Sequence, residues 1–159
     1  MKKMILVLLA TSTLIYAGGV FGIGSKNVGV TVGSENSLGN NYTVVGVNVN
    51  YFVVDNLSVG ASYQGFLGGE PNINQISVPV TYHVPLENTT YRPYLGAFYN
   101  HTFIEKPYDD YNILGGRAGL SLQTTSNSFM SFGWVQEFSN NGKNITNRGY
   151  PEVSGGFSF

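Results

Sequence analysis

The chain contains no cysteine. That excludes a disulfide framework, a thiolate metal site and a cysteine nucleophile. Charge is scarce: Lys and Arg total 8, Asp and Glu 9, and charged residues make up 11% of the 159 positions, against about 25% in an ordinary soluble domain. A net charge of −1 without a basic stripe argues against nucleic acid as a partner. Only two histidines, His83 and His101, are present. They fall on different segments, so no metal site is expected. Long hydrophobic runs are missing too, since about 20 apolar residues are needed for a spanning helix. What is abundant is glycine (21), tyrosine (11) and phenylalanine (10). This mixture favours strands and tight turns.

The first segment reads as an address. Lys2 and Lys3 precede the apolar stretch Met4 to Tyr16, broken only by Thr11, Ser12 and Thr13, and Ala17, Gly18 and Gly19 follow. A basic start, a short apolar core and a small-residue exit predict a secretory signal peptide over 1–17. The remaining 18–159 then forms one domain.

From there the recurring period is two. From Tyr42 to Val53, Thr43, Val45, Val47, Val49, Tyr51 and Val53 share one face, and Val44, Gly46, Asn48, Asn50 and Phe52 the other. The same alternation marks Leu57–Leu67, Asn74–Val84, Tyr91–Ile104, Asn112–Gln123, Phe129–Phe138 and Tyr150–Phe159. Near the start, Val28, Val30 and Val32 alternate with Asn27, Gly29 and Thr31, which completes eight strands. Short turns are expected at Val54–Asn56, Pro85–Thr90 and Thr124–Asn127, and longer loops at Ser34–Asn41, Gly68–Ile73, Glu105–Tyr111 and Ser139–Gly149.

A soluble sandwich would place Lys and Glu along its exposed face. In this chain the non-apolar face is mainly Gly, Ser, Thr, Asn and Gln, which suits the crowded interior of a small barrel. Lipid cannot satisfy backbone N–H and C=O groups, so a membrane sheet must close, and an even strand number permits that. The expected fold is all-β: an eight-stranded antiparallel up-and-down transmembrane β-barrel. Short turns at one end and longer loops at the other place both termini on the periplasmic side of an outer membrane. Membrane lipids are the first expected partner, and a monomer is the expected state. Tyr51, Tyr82 and Tyr91 towards one end, and Tyr63, Tyr99 and Trp134 towards the other, are candidates for interfacial girdles.

The terminal segment Tyr150-Pro-Glu-Val-Ser-Gly-Gly-Phe-Ser-Phe159 resembles the last strand of Gram-negative outer-membrane proteins. That resemblance implies that Val153, Phe157 and Phe159 form a signal read by the barrel-assembly machinery. Tyr51 to Gly60 and Arg92 to Gly96 are similar to small OmpA/OmpX-type barrels, in which a strand, a tight Asp-Asn turn and a strand recur. These motifs are specific to architecture and imply no cofactor and no particular activity.

Four charges fall on the inward parity: Arg92, Arg117, Glu137 and Glu152. Buried charges are costly unless paired. A register that sets Arg117 against Val135 brings Glu137 within reach, and a network of Arg117, Glu137 and Glu152 would plug the barrel and fix its register. Glu137-Phe-Ser-Asn-Asn-Gly142, followed by Glu152, also resembles a segment of the lipid A 3-O-deacylases, eight-stranded barrels with a Ser-His-Glu site. The resemblance makes Ser139 the nucleophile and Glu152 the orienting acid, but Glu137 stands where the family has histidine. Without imidazole to take the hydroxyl proton, serine is a poor nucleophile. Gly115-Gly-Arg-Ala-Gly119 precedes no helix and is not a phosphate loop. The expected function is therefore a non-catalytic envelope barrel with loop-mediated contacts. A lipid-modifying hydrolase and a surface adhesin are the alternatives.

Overall fold

The computed structural model describes residues 19–87, 89–140 and 145–159, so the expected signal segment 1–17 lies outside the described residues. Eight antiparallel strands follow one another: β1 (Lys26–Ser37), β2 (Asn40–Val54), β3 (Leu57–Leu67), β4 (Ile73–His83), β5 (Tyr91–Ile104), β6 (Tyr111–Gln123), β7 (Ser128–Asn140) and β8 (Ile145–Ser158). Each pairs with the next and β8 returns to β1, so the barrel is closed. Closure at the end carrying the chain termini, called lower below, uses mutual bonds between Lys26 and Phe159 of 3.1 and 3.0 Å.

The period-two pattern becomes an inside and an outside. Val28, Val45, Val47, Val78, Leu95, Leu114, Phe132 and Phe157 are exposed on the wall. Asn27, Gln75, Ser77, Asn100, Thr102, Ser121 and Ser131 are buried in the lumen. A soluble protein rarely exposes so continuous an apolar belt. Two inward glycines are there for space. A Cβ on Gly133 would lie 2.1 Å from the Tyr94 hydroxyl, and one on Gly119 2.7 Å from it. The missing side chains let the Tyr94 ring cross the lumen.

Two expected loops proved to be strand. Ser34–Asn41 is a hairpin in which Ser37 pairs with Asn40 around Leu38 and Gly39, whose φ angles are 51° and 81°. Within 139–149, read as a loop, residues 139–140 and 145–149 instead carry the upper ends of β7 and β8, with Ser139 opposite Thr146 and Glu137 opposite Arg148. Both corrections have one cause. Polar outward residues such as Asn36 and Asn147 look like loop, whereas cross-strand pairing continues past the point where the outer face stops being apolar.

Residues 19–25 turn into the lower mouth and bury Val20 and Phe21 against Phe52, with Phe129 packed alongside. Asn27 Nδ2 donates to the Val20 carbonyl at 3.2 Å, and the Asn56 amide to the Phe21 carbonyl at 2.8 Å. Burying a Val or Phe side chain contributes roughly 1.5–3 kcal/mol, enough to hold so short a segment.

Candidate functional site

The lumen is layered. Above the aromatic plug of Val20, Phe21 and Phe52 lies a polar chamber of about 60 Å³, bordered by Asn48, Gln64, Thr81, Tyr94, Arg117 and Glu152. Such a volume has room for on the order of four waters, not for a lipid headgroup. Higher up, Phe98, Ile113 and Val135 pack together inside β5, β6 and β7, and Tyr42, Val44, Phe66 and Ile73 form a further apolar cluster inside β2, β3 and β4.

The inward charges divide into three groups at three heights. Lowest is Arg92, whose Nη1 donates to Asn56 Oδ1 and whose guanidinium lies 5.0 Å from the centre of the Phe21 ring. In the middle, Arg117 Nη1 is 3.6 Å from Glu152 Oε1, which also accepts from the Tyr94 hydroxyl at 3.3 Å. Arg117 stacks over Phe98 at 5.4 Å. Uppermost, Arg148 reaches Glu35 at 2.5 Å and Glu137 at 2.9 Å. Glu137 accepts further bonds from Tyr150 at 3.1 Å and Asn100 at 3.4 Å. Its side chain is 1% exposed and that of Glu35 is 3% exposed, so the arginine between them is what makes the two charges tolerable.

The expected network is therefore rearranged. Arg117 does lie opposite Val135, and Arg117 joins Glu152, but the ion-pair partner of Glu137 is Arg148. Arg92 belongs to the lower plug. Glu35 and Arg148 were missed because both sat in stretches read as loops. Their parity was the available signal: Glu35 continues Asn27, Gly29, Thr31 and Gly33, and Arg148 continues Glu152 and Tyr150.

The hydrolase arrangement does not assemble. Ser139 stands opposite Thr146 and Glu152 opposite Gly133. Six residues along a strand separate them by about 20 Å. His83 packs at the lower end, 4.5 Å from Phe21 between ring centres, and His101 Nδ1 lies 2.7 Å from Asn112 Oδ1 near the upper end of the wall. Neither imidazole joins a Ser139–Glu152 pair, and the buried Ser139 side chain faces a bore filled by Ile113 and Val135. Of the proposed assembly residues, Val153, Phe157 and Phe159 are 42%, 69% and 70% exposed, on the outer side of the last strand and its end.

No protein-family model matches the chain, and no curated protein matches its sequence. Its fold does match solved structures. The N-terminal β-barrel domain of Pseudomonas aeruginosa OprF superposes with a TM-score of 0.70 at 20% identity, covering 87% of this chain and 99% of that one. Neisserial surface protein A gives 0.56 at 18% identity, over 84% and 91% of the two chains. Ail, the attachment invasion locus protein of Yersinia pestis, gives 0.51 at 15% identity, over 86% and 99%. The architecture is that of the small eight-stranded outer-membrane barrels of the OmpA/OmpX type.

Proposed function

From that fold we propose that the protein is an integral outer-membrane barrel without catalytic activity. In this reading it acts as a structural component of a Gram-negative envelope and presents its upper loops outward. Both termini face the periplasm, and membrane lipid covers the belt of Val, Leu, Tyr and Phe. One observation carries the reading: buried apolar clusters occupy the barrel interior, Val20, Phe21 and Phe52 below and Phe98, Ile113 and Val135 above. A filled bore conducts poorly and holds no substrate. The role of Val153, Phe157 and Phe159 as an assembly signal belongs to the same proposal.

The test combines fractionation with gel mobility. The protein should pellet with outer membranes and resist extraction by alkaline carbonate. Unheated, it should migrate differently on a denaturing gel than after boiling, because a closed barrel keeps its pairing in detergent until heated. Recovery in the soluble fraction, or one band position regardless of heating, would overturn the proposal.

A further inference from the structure

The seam that closes the barrel is incomplete at its upper end. β1 and β8 pair from Asn27–Ser158 to Gly33–Glu152 and no further, although β1 runs to Ser37 and β8 begins at Ile145. Parity explains the stop. Lys26 and Phe159 exchange both backbone bonds, so every second residue from them repeats that geometry, through Val32–Val153 to Ser34–Pro151. Proline has no N–H to give, so the ladder ends there. Above it, Asn36 on one strand, and Gly149 and Asn147 on the other, turn backbone N–H and C=O groups towards the seam beyond the last ladder pair among the described residues.

The outer surface changes character at the same height. The exposed row Val28, Val30, Val32 on β1 continues as Ser34 and Asn36, and Phe157, Val153 on β8 continues as Pro151, Gly149 and Asn147. An open ladder could not face hydrocarbon, so this stretch sits above it, at the level of the headgroups. The polar side chains there are organised. Trp134, 52% exposed, lies against Gly149, where an added Cβ would meet its ring at 2.6 Å. Its indole N–H donates to Gln136 Oε1 at 3.3 Å, Gln136 Nε2 donates to the Arg148 carbonyl at 2.8 Å and also to Asn147, and Asn36 Nδ2 donates to Asn41 Oδ1 at 2.8 Å. Arg148 spans the inner side of the seam to Ser37 and Glu35, which leaves the outer side as the open one.

We infer that this uncharged patch, formed by Trp134, Gln136, Gly149, Asn147, Asn36 and Asn41, binds the sugar headgroup of an outer-leaflet glycolipid. The inference rests on the membrane reading above. Amide side chains and free backbone groups offer both donors and acceptors, as neutral sugar hydroxyls require, and an indole face flush with glycine supplies a flat apolar platform for a sugar ring. Among the described residues, Trp134, Gln136, Gly149, Asn147, Asn36 and Asn41 bring no charge to the patch, so the contact is with sugar rather than phosphate.

Trp134 is the only tryptophan in the chain, which makes its fluorescence a direct reporter. Barrel purified from membranes would be reconstituted into phosphatidylethanolamine–phosphatidylglycerol vesicles containing increasing lipopolysaccharide. The expected result is a saturable change in Trp134 emission, absent with phospholipid alone. In the Asn36→Ala/Asn147→Ala variant half-saturation should rise about tenfold, with heat-modifiable gel mobility retained as proof of folding. An equal response to phospholipid alone, or an unchanged half-saturation in the variant, overturns the inference. So does an equally tight response to the sugar portion cleaved free of its acyl chains, which would mean that the membrane-anchored molecule is not the ligand. A protein that fails to enter vesicles at all refutes the membrane reading instead.

Discussion

Replacing Arg148 with methionine tests the upper charge cluster most severely. The substitution keeps an apolar stem of similar length but leaves Glu35 and Glu137, whose side chains are 3% and 1% exposed, without their shared cation. Removing one partner of a buried ion pair typically costs about 3–5 kcal/mol. Two features favour the lower end. Arg148 itself is 19% exposed, and Glu137 keeps the donors Tyr150 and Asn100. A loss of about 3 kcal/mol is expected, which at a urea slope of about 2 kcal/mol per molar moves the unfolding midpoint by about 1.5 M. The measurement is equilibrium urea unfolding in detergent, followed by Trp134 emission. A companion Glu35→Gln/Glu137→Gln/Arg148→Met variant removes all the charge at once and should lie within about 1 kcal/mol of wild type, because a cluster without ions has nothing to compensate. If the single variant loses less than about 1 kcal/mol, or the triple variant loses as much as the single, the arginine is not the compensating group and the argument fails.

Three further outcomes follow from the geometry. Phe21→Ala empties the centre of the lower plug, where Phe21 is 2% exposed, and should lower stability by about 3 kcal/mol, read from the urea midpoint; an unchanged midpoint would mean the segment before β1 contributes nothing. Pro151→Thr supplies an N–H facing the Ser34 carbonyl, so hydrogen exchange should show a protected amide at residue 151, with about 1 kcal/mol of added stability; fast exchange at that amide would show that something other than the proline ends the ladder. Ser139→Ala should leave the mass of lipid A from expressing cells the same as wild type leaves it, since Ser139 and Glu152 lie six positions apart on the β7–β8 ladder; a serine-dependent loss of one acyl chain would restore the hydrolase reading.

The strand count, the inward and outward faces and the Asp55–Asn56 turn were legible because each depends on residues adjacent in sequence. The charge partnerships were not. Arg117 could be placed beside Val135 by counting across one turn, since hairpin neighbours are linked by a short connection. Glu35 and Arg148 could not be joined that way, because they stand at opposite ends of the chain and meet only where the barrel closes.

The sequence by itself determined that the chain would make eight amphipathic strands with a small, polar inner face, because side-chain alternation along a strand is a local property of the backbone. Only the tertiary structure decided which inner side chains touch, that Val20 and Phe21 turn back into the lower mouth, and that Pro151 ends the closing ladder at Gly33–Glu152. Those outcomes depend on the register around the whole ring, and the pairing of the first strand with the last is settled only when every intervening strand is in place.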